Sequence, residues 1–516
     1  MDQNVHKKNV MKREGHNFNV SFFLRNIRFS VFITLPLFFV LDAFNQFWGW
    51  IPAGSGVEVF LWSIFAILLL YVVARLIFSA DRALLVIVWV AIVYFFFKTI
   101  KDWIVVTAEI KLFSSYSNYF VLLFALSLLF LFFLRSLPAS ANSKLVRYVN
   151  LLVFIFCLVE LGKGVSNYKH QKAIPFKTGD IQFSDLPDAN YPDVFVLQLD
   201  EYAGLNTLEK TFGANNQKFV DDLKTRAFQV AKNPNSNYNG TPFSVLSLLN
   251  MNYLQDLSRT EIASAIAYSK SVAAIGNNKL MAFFRDNGYA VSNHSFFDIE
   301  QTVSLDYLFL PVKERLILDK TLGSVLVNDL LCSINSNSNS FHLFINDFPA
   351  KIDRYNQEVI KRSHQTIQNE KRPLFMYMHL MAPHGPFLRD GSGHLKNIGK
   401  AYSELNKGFK ISSYLEYLAY CNTVSLRMVD SIKAHNPNSI IILLSDHGLR
   451  NLKQGDRKNA EFNNFLAVYS PSKQGFKISD SLCTVNVFRL LLNEYFDQKL
   501  PLLENRMINV NMGLRE

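Results

Sequence analysis

Asp446 and His447 follow directly on the run Ser439-Ile440-Ile441-Ile442-Leu443-Leu444-Ser445, and Gly448 comes next. A carboxylate oxygen beside an imidazole nitrogen suits Zn²⁺ or Mn²⁺ rather than Mg²⁺ or Ca²⁺, provided that other segments complete the shell. Three further segments offer such groups. Asp200 and Glu201 close the run Val194-Phe195-Val196-Leu197-Gln198-Leu199; His379 and His384 stand in Met378-His379-Leu380-Met381-Ala382-Pro383-His384-Gly385-Pro386-Phe387; Thr241 stands in Asn239-Gly240-Thr241-Pro242-Phe243-Ser244. Taken alone, Thr241 reads as the N-cap of a helix whose first position is Pro242. Taken with a divalent ion on Asp200, Asp446 and His447, its hydroxyl would be activated to attack phosphorus or sulfur, with the helix N-terminus helping to hold the anionic group transferred. Taken alone, the Asp-His-Gly step is an ordinary turn after a strand; the convergence of four segments carries more than any one.

The elements that would position these groups follow from the hydrophobic pattern. Unbroken apolar runs over 193–200, 371–383 and 439–446 read as strands buried on both faces, each delivering its polar residues at its carboxyl end, where open α/β sheets put ligands. Shorter strands are expected at 288–294 and 464–471, and helices over 215–228, 259–287, 413–436 and 480–496, so that strand and helix alternate as in a mostly parallel, doubly covered sheet. Residues 333–342 form a polar low-complexity loop and 388–412 a lysine-bearing one. His294, His342, His364, His394 and His435 carry no ligand pattern and read as structural or surface residues, and the Lys396, Lys400, Lys407, Lys410 group as a solvated loop that could also meet an anionic lipid or glycan.

The first third of the chain is of another kind. The 46 phenylalanines among 516 residues crowd there, and 29–50, 59–79, 83–100, 117–137 and 145–162 each approach the ~20 apolar residues that cross a bilayer as a helix. Five spans are therefore expected, with 103–113 too short to cross and suited to the interface. Lys7, Lys8, Lys12, Arg13, Arg25, Arg28, Arg75, Arg82, Arg135, Lys144 and Arg147 fall on one side and only Lys101 and Lys111, with Lys98 at the border, on the other, so the basic side is cytoplasmic. The division is a basic cytoplasmic tail (1–28), a transmembrane domain (29–162), a linker (163–192) and an extracytoplasmic domain (193–516). Juxtamembrane lysine and arginine account for much of the +11 net charge through anionic lipid, with no call on nucleic acid. Cys157, Cys332, Cys421 and Cys483 show no Cys-x-x-Cys spacing; one bridge among the last three is open in an oxidising compartment.

These segments, with the five-span layout, resemble the alkaline phosphatase superfamily, and within it the sulfatase-like membrane transferases: phosphoethanolamine transferases and lipoteichoic acid synthases. The resemblance covers about 193–475 by motif and the membrane region by layout. It implies a sulfatase-like α/β domain in which Thr241 is the covalent nucleophile and a metal ligand, Asp200, Asp446 and His447 are the other ligands, Glu201 is a further candidate ligand, and His384 binds or protonates the substrate phosphate. His379 and Asn239, from the same segments, are assigned to substrate binding. The implied activity moves a phospholipid head group, phosphoethanolamine or phosphoglycerol, to a surface glycan or lipid at the bacterial inner membrane. The alternative is a hydrolase of the same superfamily, a phosphodiesterase or sulfuric ester hydrolase; a binding module without activity is the rival of another class. Sulfatases convert Cys or Ser in Cys/Ser-x-Pro-x-Arg, and Thr241-Pro242-Phe243-Ser244 has neither the convertible residue nor the arginine. Two further departures bear on the site. The helix at 413–436 carries Tyr414, Tyr417 and Tyr420 and no Asp-x-x-x-His pair for a second metal, so one metal is expected; and 448–470 lacks the further histidine of phosphoethanolamine transferases.

Overall fold

The computed structural model describes residues 29–48, 51, 53–169, 179–186, 191–254, 265–299, 302–306, 314–326, 348–398, 401, 404, 410–450, 452, 457–471 and 477–510. The basic tail 1–28, Cys332, the loop 333–342 with His342, Lys400 and Lys407, the helix start 259–264, and parts of the linker (170–178, 187–190) lie outside the described residues. Two compact units are formed, Met1–Asn45 with Ala53–His170, and Gln46–Pro52 with Gln171–Glu516.

The first unit contains α1 (Val31–Gln46), α2 (Ala53–Arg75), α3 (Ala80–Phe95), α4 (Phe97–Asp102), α5 (Tyr116–Ser136) and α6 (Ala139–Lys169). Three of these, α2, α5 and α6, are long and apolar enough to cross a membrane, and a fourth span arises if the bent pair Ala80–Phe95 and Phe97–Val105 is taken as one. Among the described residues, three or four spans meet that length where five were expected. α1 has 16 residues, about 24 Å of helix against the ~30 Å of a hydrocarbon core. The third expected span bends by 74° and runs on into a π-helical turn at Trp103–Thr107. The fifth, with the most polar ends, is the longest helix of the unit at 31 residues. Leu61, Trp62, Phe65 and Val72 on α2 and Phe124 and Phe132 on α5 are exposed, an apolar girdle that suits lipid rather than water. Several polar groups inside the unit are paired, as a low-dielectric surround favours: Trp89 Nε1 donates to Ser127 Oγ at 2.9 Å, Ser30 Oγ to Asn150 Oδ1 at 2.7 Å, and Asn45 Nδ2 to Glu160 Oε2 at 2.7 Å.

The second unit is built on a six-stranded sheet of order β2-β6-β5-β1-β4-β3. Its strands are β1 (Val194–Asp200), β2 (Gln229–Val230), β3 (Ala290–His294), β4 (Leu374–Pro383), β5 (Ile440–Ser445) and β6 (Leu466–Tyr469). Every residue of β1, β4 and β5 is buried, which is why these runs lack alternation. The sheet is mixed rather than mostly parallel: β5-β1, β1-β4 and β4-β3 pair parallel, β6-β5 and β2-β6 antiparallel. The reason lies in the connection after β5. A parallel return needs a crossover, usually a helix, whereas the described residues of 446–465 hold only a four-residue helix, Arg457–Ala460.

The covering helices include α7 (Thr241–Asn250), α8 (Phe348–Asn369), α9 (Ile411–His435) and α10 (Val487–Tyr495), of which α8 and α9 pack on β4. The helix expected at 215–228 is Gln217–Thr225, and that at 259–287 is broken into Ala265–Ile275 and Lys279–Asp286. The stretch expected as a linker begins inside α6, and its residues Ile181, Phe183 and Leu186 pack against the core of the second unit. Cys157, Cys421 and Cys483 are free thiols.

Candidate active site

Parallel pairing brings the polar ends of β1 and β5 together. Leu199 stands opposite Ser445, so the next residues, Asp200 and Asp446, leave the sheet side by side. At Leu199/Asp200 the register with β4 shifts, and Asp200 faces Pro383. Glu201 then takes a left-handed φ of +61°, a conformation costly for a residue with a Cβ and found where a surrounding structure over-determines it. Here the Glu201 N–H donates to Asp446 Oδ1 at 3.0 Å and the Tyr202 N–H to Ser445 Oγ at 3.0 Å. The His447 N–H adds a second bond to Asp446 Oδ1 at 2.8 Å. One oxygen of Asp446 is therefore fixed by two backbone donors, and Oδ2 is buried without a hydrogen-bond partner, as is Asp200 Oδ1.

His447 Nδ1 lies 2.8 Å from the Gly448 carbonyl; a carbonyl only accepts, so Nδ1 carries the proton. Burial, ahead of the pull of Asp446, keeps the ring below its ordinary pKa and hence neutral. Its Nε2 lone pair then accepts from the Thr241 hydroxyl at 3.1 Å and faces a second acceptor, Asp446 Oδ2, at 3.2 Å. Two acceptors facing each other in a buried pocket repel unless a cation stands between them. Asp200, Asp446 and His447 each bring a ligand atom within 4.8 Å of the others. Burial and then the Asp446 charge push Asp200 well above the ordinary carboxylate range, whereas His447 and His379 and the Glu201 N–H outweigh burial and hold Asp446 low. Adjacent carboxylates of this kind share a proton or bind a metal. The donor set fits one divalent ion.

Thr241 is the first residue of α7, and Gly240 is its N-cap. The boundary falls one residue earlier than the Thr-Pro pattern suggests, and the consequence is chemical. With no capping bond to make, the hydroxyl is free to face His447. Ser244, one turn on, donates to the Asp446 carbonyl and ties the helix start to the ligand loop.

His384 is placed by the end of β4, with Nδ1 2.6 Å from the Gly385 carbonyl and Nε2 3.6 Å from Glu201 Oε2. Burial, ahead of the opposing Glu201 charge, lowers its pKa. Glu201 itself is held low, because His384 and Arg450 outweigh the burial that would raise it. The sequence reading overlooked Arg450. It lies in the same strand-end loop as the ligands, its N–H donates to Glu201 Oε1 at 2.8 Å, and its Nε is 3.3 Å from the same oxygen; a cation three residues beyond His447 beside paired acids was the available signal.

The two residues assigned to substrate binding sit differently. His379 is fully buried beneath Asp200, Nε2 to Oδ2 3.7 Å, against Phe296 and within reach of Gln198 and Tyr377, and burial lowers its pKa to about 4. Asn239 points away from His447: its Nδ2 donates to Glu461 Oε2 at 3.0 Å and Asn509 Oδ1 at 2.9 Å, and its Oδ1 accepts from the Val510 N–H at 2.8 Å. On α9, Tyr414 and Tyr417 are fully buried; the Tyr414 hydroxyl accepts from the Ala203 N–H at 2.8 Å and donates to the Glu201 carbonyl at 3.1 Å. Of the remaining histidines, His294 is buried against Thr366, while His364, His394 and His435 bond to Ser431, Asp390 and the Ser431 carbonyl.

A family model described as Sulfatase matches residues 214–473. No curated protein matches the chain. Among solved structures, the chain is similar to the integral membrane lipooligosaccharide phosphoethanolamine transferase A (EptA) of Neisseria meningitidis, at 14% identity over 92% of this chain and 95% of that one with a TM-score of 0.39. It is also similar to the C-terminal periplasmic domain of EcEptC from Escherichia coli in complex with Zn, at 12% identity over 67% and 92% with a TM-score of 0.38. The corresponding domain of the phosphoethanolamine transferase EptC of Campylobacter jejuni gives 16% identity over 61% and 92% and a TM-score of 0.36.

Proposed function

The chain belongs to the sulfatase family, and on that footing we propose that it is a membrane-anchored, metal-dependent phosphotransferase that uses Thr241 to move a phospholipid head group to a surface glycan or lipid. One observation carries the reading: the Thr241 hydroxyl, released from capping, lies 3.1 Å from an unprotonated ring nitrogen of His447, beside carboxylate oxygens of Asp200 and Asp446 that have no hydrogen-bond partner. Asp200, Asp446, His447 and Thr241 would hold one Zn²⁺ or Mn²⁺, which lowers the pKa of the hydroxyl and offsets negative charge that develops during transfer. With its proton lost to solvent, Thr241 Oγ attacks phosphorus; the Oγ–P bond forms, the bond to the diacylglycerol oxygen breaks, and the imidazolium form of His384, which the Glu201 carboxylate 3.6 Å away favours, gives that oxygen its Nε2 proton. In the second displacement an acceptor hydroxyl gives its proton to His384, attacks phosphorus and releases Thr241. Phosphatidylethanolamine is the favoured donor and phosphatidylglycerol the next. The membrane unit supports a lipid donor, because tethering holds the site where such molecules are concentrated. We place the protein in the bacterial inner membrane with the second unit on the periplasmic or outer side.

Full-length protein in vesicles is incubated with labelled phosphatidylethanolamine and diacylglycerol release is followed. Release that requires an acceptor glycolipid supports transfer; release in water alone makes the protein a phosphodiesterase; and cleavage of sulfate esters without any release overturns the reading.

A further inference from the structure

Glu201 follows directly on a candidate metal ligand yet is turned to another task. Its left-handed backbone carries the carboxylate to the Arg450 side of the site, where Oε1 accepts from the Arg450 N–H at 2.8 Å and from Nε at 3.3 Å and Oε2 lies 3.6 Å from His384 Nε2. The residues whose ligand atoms close within 4.8 Å are Asp200, Asp446 and His447, without Glu201. A guanidinium has five N–H donors in a fixed fork. Nε of Arg450 is engaged by Glu201, whereas Nη1 and Nη2 make no hydrogen bond among the described residues. The side chain is 21% exposed and that of His384 25%, so both reach the open side of a site whose ligands are buried. Arg450 shares the strand-end loop of Asp446 and His447 and is bonded to the residue that follows Asp200.

We propose that Arg450 and His384, held in place by Glu201, form an anion seat next to the metal centre, in which Arg450 binds a non-bridging oxygen of the phosphoryl group being transferred. A phosphodiester has two such oxygens; the seat takes one and leaves the other toward the ligand cluster, and planar guanidinium donors match oxyanion geometry better than a lysine would. Arg450 is then a specificity-determining residue and Glu201 a positioning residue rather than a ligand. The inference rests on the transferase reading for its substrate class, and it is tested without turnover.

Zinc-loaded full-length protein is titrated at pH 7 with inorganic phosphate, and separately with inorganic sulfate, by calorimetry, with zinc content measured on the same samples. Arg450→Gln should weaken phosphate binding by about tenfold or more, the worth of a charge-assisted bond, with zinc unchanged. Arg450→Lys should fall between the two, and it carries the test should the glutamine variant not fold. Glu201→Gln should also weaken phosphate while retaining zinc, because it removes the carboxylate charge that holds the Arg450 guanidinium in place. Equal phosphate affinity in wild type and Arg450→Gln, no phosphate binding in the wild type, preference for sulfate, or zinc loss in Glu201→Gln each overturns the proposal. Failure of the transferase reading shows separately, as absent diacylglycerol release with phosphate binding still dependent on Arg450.

Discussion

At the scale of single residues the site depends on which atoms are left without a partner. Thr241 makes no capping bond, so its replacement should cost the helix far less than the ~1 kcal/mol of a lost N-cap. Thr241→Ala is expected to abolish diacylglycerol release while the circular dichroism spectrum and bound metal stay close to wild type, and Thr241→Ser to retain part of the activity. A Thr241→Ala protein that turns over normally would remove the nucleophile from this account. Asp200, Asp446-His447 and His384 were legible in the sequence because each stands at or just past the end of an apolar run, where hydrophobic pattern alone dictates the strand and hence its tip, and Thr241 because the Thr-Pro step marks a helix start. The role of Glu201 was not, because it depends on a φ of +61° imposed by two backbone bonds to the neighbouring strand. Arg450 was missed for the same reason: its target is that turned carboxylate.

At the scale of elements, close approach and burial set what the strand ends tolerate. A Cβ on Gly448 would meet the Ala460 carbonyl oxygen at 2.0 Å and the Asn463 carbonyl oxygen at 2.5 Å, and its N–H bonds the Glu461 carbonyl at 2.9 Å. Neither partner is a side-chain tip that can swing aside. Gly448→Ala should therefore destabilise the protein by about 1–3 kcal/mol, as overpacking does, and lower metal content, since the displaced loop carries His447; chemical denaturation and elemental analysis measure the two effects. The loop that crowds Gly448 is the one that returns antiparallel as β6, a feature invisible to periodicity because the described residues of 446–465 hold only the four-residue helix Arg457–Ala460. At the far edge of the sheet His294 ends β3 and pairs with Thr366 of α8 through Nε2 at 2.8 Å. Burial, with Arg362 adding to it, lowers its pKa from 6.5 to about 4. Unfolded chain takes up this proton near pH 6.5 and folded protein only near pH 4, so stability falls as pH drops through that window, by about 3 kcal/mol from this residue, and levels off below it. His294→Gln, which cannot titrate, should show a smaller decline between pH 6.5 and 4.5 in urea unfolding; an unchanged decline would mean His294 is protonated in the folded state.

At the scale of the whole molecule the question is which side of the bilayer the second unit occupies, and helix count alone does not answer it. Three helices have the length and apolarity to span, a fourth span depends on a pair bent by 74°, and Val31–Gln46, at 16 residues, is shorter than the hydrocarbon core. Parity would flip with each of these. The short α1 can still cross where flanking residues snorkel or the bilayer thins, at a modest energetic cost, and a bent pair buried among neighbouring helices keeps its backbone satisfied. Charge provides an independent criterion. Arg75 and Arg82 flank the α2–α3 connection, and Arg135, Lys144 and Arg147 the α5–α6 connection, whereas the α3–α5 side holds only Lys98, Lys101 and Lys111. Positive residues in short loops stay cytoplasmic, which places both basic connections inside and requires the bent pair to bring its far end out and α6 to emerge on that same outer side. The 31 residues of α6 suffice for a crossing from Ala139 at the inner face to Lys169 beyond the outer one. A reporter active only outside the cytoplasm should thus be silent when fused after Ile77 and after Leu137, and active when fused after Ser115 and after Leu186. Activity after Leu137 together with silence after Leu186 would put the second unit in the cytoplasm, away from any surface acceptor, and would end the transfer reading regardless of the chemistry at Thr241.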